Sequence, residues 1–221
     1  MATRQLLTEL LALYAARGGC TLQLESVGGV DAAKRVQADE PFDIVFLASD
    51  AIDKLIAAGK LDAQSKVNLA DSRVALAVRA GAAQPDISTA DAVRQAVLAA
   101  KNISYSTGPS GVALAKLFDA WGITAQLQGR IVQAPPGVPV GTLVARGEVE
   151  LGFQQLSELI NLDGITLLGN LPAEIQITTT FSAAIASASV HKEAAQELLR
   201  FLVSDDAAAA KQRQGMEPAA T

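Results

Sequence analysis

The sequence contains few of the residue types that most often mark a catalytic or metal centre. Among its 221 residues there is one cysteine, Cys20, and one histidine, His191, and aromatic residues make up 4%. A single cysteine excludes an internal disulfide, and we expect Cys20 to be a buried, inert thiol. No set of histidine, cysteine and acidic residues has the spacing of metal ligands, so the sequence predicts no metal and no cofactor.

Positive charge is scarce as well. The chain has 18 lysines and arginines against 23 acidic residues, a net charge of −5, and no basic run. This balance excludes nucleic acid as the main partner. No apolar run approaches the roughly 20 residues of a membrane-spanning helix, so we expect no membrane insertion. The residues after Met1 lack the pattern of a signal peptide, so we expect a periplasmic protein if such a peptide is missing from this chain and a cytoplasmic one otherwise.

Apolar strand-like runs alternate with helical stretches along the whole chain. This alternation predicts an α/β fold with mainly parallel sheets, in which ligands bind beyond the carboxyl ends of the strands. The predicted strands are residues 21–26, 43–48, 74–78, 102–106, 129–132, 149–153, 165–168 and 175–185. The predicted helices are residues 3–17, 31–38, 51–58, 90–100, a helix from 110, 141–146, 157–160, 192–203 and an alanine-rich tail to 214.

Three strand-to-helix turns share small residues, hydroxyl groups and unpaired backbone amides. They comprise residues 26–30, 48–50 and 106–111. In the third turn Pro109 opens the helix, and Ser110 and Gly111 leave the backbone open where its first N–H groups point outward. Each turn alone is also compatible with an ordinary connection. Three of them in a chain without a nucleotide-binding glycine motif favour a site for a small anion.

Six segments resemble, in order and over almost the whole chain, the periplasmic substrate-binding proteins of the molybdate-binding type (type II). They are SVGG at 26–29, DIVFLASDAIDKLIAAGKL at 43–61, VNLADSRVALAVRAGA at 67–82, GEVELGFQQLSEL at 147–159, LPAEIQITTTFSAAI at 171–185 and the closing GMEPAA at 215–220. The resemblance implies a two-lobed type II fold whose lobes close on a ligand by a hinge motion. It also implies that lobe I holds residues 1–78 and 182–221 and that lobe II holds residues 79–181.

Carried over position by position, the resemblance implies which residues contact the ligand in the cleft between the lobes. They are Ser26, Gly28, Gly29, Ala48, Ser49, Ser106, Ser110, Gly111, Val138, Pro139, Gln154 and Gln155. The implied function is that of a solute-binding protein that captures a small anion, either an oxyanion or a small carboxylate, for ABC-type transport. Its partners would then be the anionic ligand and an ABC permease.

The sequence departs from the family pattern at its start. Family members begin with a strand and a serine-bearing turn, whereas here Met1 leads directly into the first predicted helix. We therefore expect the fold to lack the family's first strand, and whether Met1 is the true start stays open. A sheet without a central strand should recruit a replacement, so a homodimer that supplies the strand is a further hypothesis.

A second departure lies at Gln154 and Gln155, where molybdate-binding members place a tyrosine-bearing segment. Two glutamines offer donors and acceptors that suit a polar carboxylate better than a tetrahedral oxyanion. The QQLSEL version of this segment also resembles a branch of the family that includes aconitate isomerases. An isomerase of a small polycarboxylate such as aconitate is therefore the alternative function, and a ligand-sensing module is a second alternative.

An isomerase needs a base that moves a proton next to a carboxylate. The candidates near the expected cleft are Glu25, Asp50, Glu158 and Tyr105. Structural roles are open for three of them: Asp50 in a helix cap, Glu158 on a solvated helix face and Tyr105 as a half-buried strand residue. His191 begins the last long predicted helix, far from the expected cleft. The sequence alone leaves open whether this chain is an enzyme.

Overall fold

The structure is a computed structural model, and it describes residues 2–135 and 137–219. The chain divides into two compact units: unit 1 comprises Met1–Ser72 and Thr179–Thr221, and unit 2 comprises Arg73–Thr178. The lobe boundaries expected from the sequence, at 78–79 and 181–182, lie a few residues from these unit boundaries. Expectations that involve Met1, Pro136 or Ala220 lie outside the described residues.

Helices and strands alternate through both units. The helices are α1 Arg4–Ala16, α2 Gly29–Gln37, α3 Ser49–Ala57, α4 Ala90–Ala99, α5 Pro109–Ala120, α6 Val140–Ala145, α7 Leu156–Leu159, α8 Lys192–Leu202 and α9 Ala208–Arg213. The strands are β1 Ile44–Ala48, β2 Val67–Arg79, β3 Ile103–Tyr105, β4 Leu151–Gln155, β5 Ile165–Asn170, β6 Thr178–Ile185 and β7 Met216–Pro218. Every predicted helix is present within about a turn of its predicted bounds. None of the helices that the structure describes is long and apolar enough to cross a membrane.

Unit 1 contains an apolar cluster formed by α1, α8 and a sheet of β1, β6, β7 and the first half of β2. β1 and β6 are antiparallel, with Ile44 opposite Ile185, and β7 pairs antiparallel with β2. Leu6, Leu7 and Leu10 of α1 are buried in this cluster, because residues three and four apart lie on one face of a helix. The apolar spacing that predicts α1 therefore also supplies part of the core.

Residues 21–26 are predicted as a strand, and this prediction is wrong. Leu22 and Leu24 alternate with exposed neighbours and pack against the core of unit 1, but the segment forms no ladder in the part of the chain that the structure describes. Alternation sets which side chains are buried, whereas a strand also needs a hydrogen-bonded neighbour. The strand predicted at residues 129–132 is also wrong, since Ile131 forms only an isolated bridge with Ile103 of β3.

Unit 2 is built on β3, β4, β5 and the second half of β2. β3 and β4 are parallel, with Tyr105 opposite Phe153, so their carboxyl ends lie at the same edge of the sheet. Phe118 of α5 is fully buried, and its ring meets those of Tyr105 and Phe153 edge-on, with centroid distances of 5.9 and 6.0 Å. This aromatic contact fixes α5 against the two strands whose ends form the candidate site.

The two-unit α/β architecture agrees with the expectation, but the expectation of mainly parallel sheets is wrong. In the described pairs β3–β4 is parallel, whereas β1–β6, β2–β4, β2–β5 and β2–β7 are antiparallel. The apolar pattern shows which faces of a strand are buried and carries no information on the direction of its neighbour. Cys20, which we expected to be buried, is exposed. The absence of the family's first strand stays a prediction.

Candidate functional site

The turn after β3 forms the first part of the candidate site in unit 2. Ser106 follows β3, and its hydroxyl oxygen lies 3.1 Å from that of Ser110 in the first turn of α5. Ser110 and Gly111 are both buried. A Cβ atom on Gly111 would lie 1.6 Å from the Ser106 carbonyl oxygen, so glycine is required for α5 to begin this close to the strand end.

The beginning of α5 presents backbone donors. Pro109 occupies the first helical position and has no N–H. Val112 donates its N–H to the Gly108 carbonyl at 3.1 Å, which is the first hydrogen bond of the helix. The N–H groups of Ser110 and Gly111 precede it, where an α-helix provides no intrahelical acceptors. With the positive end of the helix dipole, these amides and the serine hydroxyls suit an anion.

The helix α6 packs on β4 and is tied to it by a glutamine. The Gly141 N–H donates to Gln154 Oε1 at 3.0 Å. Pro139 is the N-cap of α6, and it and Val138 are half-buried. Because a backbone N–H can only donate, Oε1 of the Gln154 amide is the atom that faces Gly141, and its NH₂ group lies on the other side.

Gln154 and Gln155 are the last two residues of β4, although the sequence predicts that the strand ends at Phe153. The two glutamines are buried, at 3% and 5% exposure. The hydroxyl groups of Ser157 in α7 and Ser104 in β3 are also buried, and neither has a hydrogen-bond partner among the described residues. Buried polar atoms without a partner are uncommon in proteins, and these two hydroxyls belong to β3 and to the helix that directly follows β4.

Glu158 lies in α7 and is half-buried, so its interpretation as part of a solvated helix face is wrong. Burial raises the pKa of its carboxyl, and the positive charge of the amino terminus and a hydrogen bond with the Gln154 side chain offset part of that increase. Since Gln154 Oε1 accepts from Gly141, the Gln154 amide nitrogen is the atom that donates to Glu158. No lysine or arginine among the described residues forms an ion pair with Glu158.

Unit 1 carries the other predicted residues on two turns that lie against each other. They are Ser26, Gly28, Gly29, Ala48 and Ser49. Gly28 is the N-cap of α2 and Gly29 is its first residue, and the Cβ position of Gly29 lies 3.7 Å from Cδ2 of Leu47 in β1. Ala48 ends β1 and is the N-cap of α3. The structure therefore brings these two turns together within unit 1, while ligand binding by them stays a prediction.

The other candidate bases are less suited to proton transfer. Glu25 is exposed and accepts from the Arg35 guanidinium at 2.8 Å, and Asp50 is exposed at 4.0 Å from Lys54. Burial raises the pKa of Tyr105, which keeps the phenol neutral at physiological pH. Within residues 2–135 and 137–219 no group of three or more histidine, cysteine, aspartate or glutamate residues could hold a metal ion.

Comparison with known proteins gives matches at the level of both sequence and fold. A family model described as bacterial extracellular solute-binding protein matches residues 1–217. An aconitate isomerase from a Pseudomonas species is 43% identical over 185 residues, which are 83% of this chain and 70% of that protein. The periplasmic molybdate-binding protein of Azotobacter vinelandii has a TM-score of 0.81 at 20% identity, and the match covers 97% of this chain and 95% of that one. A periplasmic thiamin-binding protein has a TM-score of 0.74 at 18% identity, with 96% and 78% covered.

The solved structures are too distant in sequence to indicate a ligand, but they confirm the type II periplasmic-binding-protein fold. The family model covers almost the whole chain, and the curated relative supports the same assignment through the isomerase branch. The resemblance read from the sequence segments is thereby confirmed. The chain belongs to the bacterial extracellular solute-binding protein family.

Proposed function

We propose that this chain binds a small polycarboxylate anion at the carboxyl edge of β3 and β4. The observation that carries the proposal is the pair of buried glutamines at the end of β4. One N–H of the Gln154 NH₂ group donates to Glu158, the second is proposed as a donor to the anion, and Gln155 adds a second buried amide side chain. Together with the α5 amides and the Ser106 and Ser110 hydroxyls, these groups supply the neutral donors that carboxylate oxygens accept.

The five residues of unit 1 that the family resemblance implies stay proposed ligand contacts. Membership of an extracellular solute-binding family supports a periplasmic location and delivery of the anion to an ABC permease. Under this proposal closure on the ligand replaces its water shell by amide and hydroxyl donors. A homodimer that supplies a strand stays a hypothesis, and a single-chain mass in solution would dismiss it.

Ligand-induced stabilisation tests the proposal directly. Molybdate, tungstate, sulfate, phosphate, citrate, cis-aconitate and trans-aconitate are added in turn during thermal unfolding of the purified chain. A ligand at about 100 times its Kd adds roughly 2.7 kcal/mol to the free energy of unfolding. We expect citrate or the aconitates to raise the Tm. Stabilisation by the tetrahedral oxyanions alone would contradict the choice of a carboxylate.

A substitution at the glutamine pair locates the binding. Gln154→Leu removes the amide donor and leaves the Gly141 N–H without its acceptor, so we expect affinity for the responding anion to fall about tenfold or more, measured by titration calorimetry. Gln128→Leu is the matched control, because Gln128 is an exposed glutamine of the same unit. Equal affinities for the two variants would place the ligand elsewhere.

Isomerisation of the bound anion is the second candidate function, and the aconitate isomerase relative favours it. Under this proposal the chain interconverts cis- and trans-aconitate at the edge of unit 2, and binding is the first step of turnover. Chromatographic separation of the two isomers after incubation tests it. Binding of aconitate without interconversion would leave solute capture as the function.

A further inference from the structure

We propose that Glu158 is the catalytic base that carries the proton when this chain isomerises an unsaturated polycarboxylate, an inference that rests on the proposed isomerase function. Similarity to an aconitate isomerase does not identify the group that carries the proton. Four side chains were candidates from the sequence, and the structure separates them by their surroundings.

The position of Glu158 places it beside the proposed ligand donors. It lies in α7, which begins directly after Gln155, the last residue of β4. Its carboxyl receives a hydrogen bond from the Gln154 side chain, whose other end is held by the Gly141 N–H at 3.0 Å. The chain Gly141–Gln154–Glu158 therefore fixes the carboxyl through one buried amide, with each donor and acceptor assigned.

The surroundings of Glu158 suit a proton carrier. Burial raises the pKa of its carboxyl, and neither the amino-terminal charge nor the Gln154 hydrogen bond, which both lower the pKa, cancels that increase. A general base works best when its pKa approaches the working pH, and burial is one cause that moves the pKa of a carboxyl toward that range. Glu25 and Asp50 are exposed instead, and each has a basic neighbour.

The proposed step is a proton shift between two carbons of the substrate. In aconitate a methylene carbon adjoins both a carboxylate and the carbon–carbon double bond. Ionised Glu158 takes a methylene proton, and the electron pair of the broken C–H bond spreads over the three-carbon allyl unit and its carboxylates. Glu158 then returns the proton to the carbon at the other end of that unit, and the double bond forms on the side that lost the proton.

The atoms and electrons of this step balance without any other reactant. One C–H bond breaks and one forms, Glu158 begins and ends ionised, and nothing is oxidised or reduced. The orientation of the former methylene carbon when its proton leaves sets the geometry of the new double bond. The amide and hydroxyl donors at the start of α5 and the amide of Gln154 stabilise the negative charge that spreads onto the carboxylates.

Glu158→Gln tests the assignment because it keeps the size and hydrogen-bonding reach of the side chain and removes the base. We expect kcat to fall by about 100-fold or more, the usual contribution of a positioned base, while the Kd for aconitate changes less than about threefold. Glu158→Asp shortens the side chain and should retain intermediate activity. Glu148→Gln is the matched control, since Glu148 is an exposed glutamate of unit 2 with one distant partner, Arg146 at 4.0 Å.

Deuterium incorporation provides a readout that a merely structural role would not change. In D₂O the wild-type chain should exchange carbon-bound hydrogens of aconitate with solvent, and Glu158→Gln should lose this exchange while it still binds the substrate. Retention of exchange and turnover within about fivefold of wild type by that variant would overturn the assignment. Wild-type chain that binds aconitate without turnover also overturns it but leaves the binding proposal intact, and absence of binding overturns both.

Discussion

Glu158 in unit 2 is half-buried and Lys211 in unit 1 is buried. Burial raises the pKa of the Glu158 carboxyl and lowers the pKa of the Lys211 amine, so the same cause favours the neutral form of each. Their positions differ. Lys211 is 2% exposed in α9, a helix in contact with α1 and β7, whereas Glu158 follows the buried glutamines of β4.

This comparison shows that a perturbed pKa alone does not identify a functional residue. Lys211 has a shifted pKa within a helical layer that carries none of the predicted ligand residues. Glu158 has a shifted pKa next to the buried hydroxyl of Ser157 and accepts from the Gln154 amide, which the Gly141 N–H holds in place. Geometry at the strand ends therefore assigns the role, and the shifted pKa only agrees with it.

The largest expected difference between the two residues is in turnover. Lys211→Met should keep the proposed isomerase activity within about twofold, while Glu158→Gln should lose it by about 100-fold or more, because only the second removes the proposed base. Both rates are measured on variants whose folding is checked by circular dichroism. A large loss of turnover in Lys211→Met would contradict the assignment of different roles to Lys211 and Glu158.

The tightness of the turn before α5 gives the next largest effect. Gly111→Ala places a Cβ atom 1.6 Å from the Ser106 carbonyl oxygen, so the helix start must move. We expect a loss of about 1–3 kcal/mol in the free energy of unfolding, the usual cost of overpacking, together with weaker anion binding. Denaturant titration and calorimetry measure the two effects.

Gly108→Ala is the control for that substitution in the same turn. Its Cβ atom would meet only the Ser106 hydroxyl at 3.7 Å, an ordinary contact distance. We expect unchanged or slightly higher stability, because alanine reduces the freedom of the unfolded chain. Equal behaviour of the two alanine variants would mean that the close approach at Gly111 is not required.

The two buried charges should also give opposite dependences of stability on pH. The folded pKa of Glu158 lies above its unfolded value, so the folded state binds more protons between them and stability falls as pH rises through that interval. Glu158→Gln should therefore be more stable than wild type at about pH 8 and similar to it at about pH 4. Denaturant titrations at both values check the sign.

For Lys211 the pKa in the folded state lies below the pKa in the unfolded state. Between these two pKa values the unfolded state binds more protons, so stability rises with pH. Lys211→Met should add about 1 kcal/mol at neutral pH, since it removes the cost of a buried polar group. The gain should shrink as pH approaches the unfolded value near 10.4. A gain that is constant with pH would point to packing rather than charge.

The smallest expected effect comes from Glu25, the exposed alternative to Glu158. Glu25→Gln weakens an ion pair with Arg35, which keeps its second partner Glu40 at 2.7 Å. Exposed pairs contribute about 1 kcal/mol or less, so stability should change little and less still at high salt. Turnover should not change. A loss of turnover as large as that of Glu158→Gln would move the base to unit 1.

The parts of the fold that the sequence predicts are those that local spacing determines. Leu6, Leu7 and Leu10 define the buried face of α1 without reference to any distant residue. Thr89 caps α4 as expected of a threonine before a helix, and its hydroxyl accepts from the Ala92 N–H at 3.1 Å. Residues 21–26 and the direction of strand pairing depend on neighbours far along the chain, so local patterns do not determine them.

The candidate site shows the same limit. Small residues and hydroxyls after a strand predict the α5 turn, because its composition and its geometry have the same local cause. The burial of Glu158 has no such signal: it follows from packing around α7, and the four-residue separation from Gln154 spans a strand and a helix. The contact between Gln154 and Gly141 joins residues 13 apart. Such contacts become visible only in the folded chain.

The hydrogen bond from Gln154 to Glu158 has a consequence for the heat of binding. An anion bound beside this carboxyl adds like charge and raises its pKa further, so complex formation takes up part of a proton from the buffer. The measured binding enthalpy should then vary with the ionisation enthalpy of the buffer, and the apparent affinity should weaken as the solution becomes more alkaline.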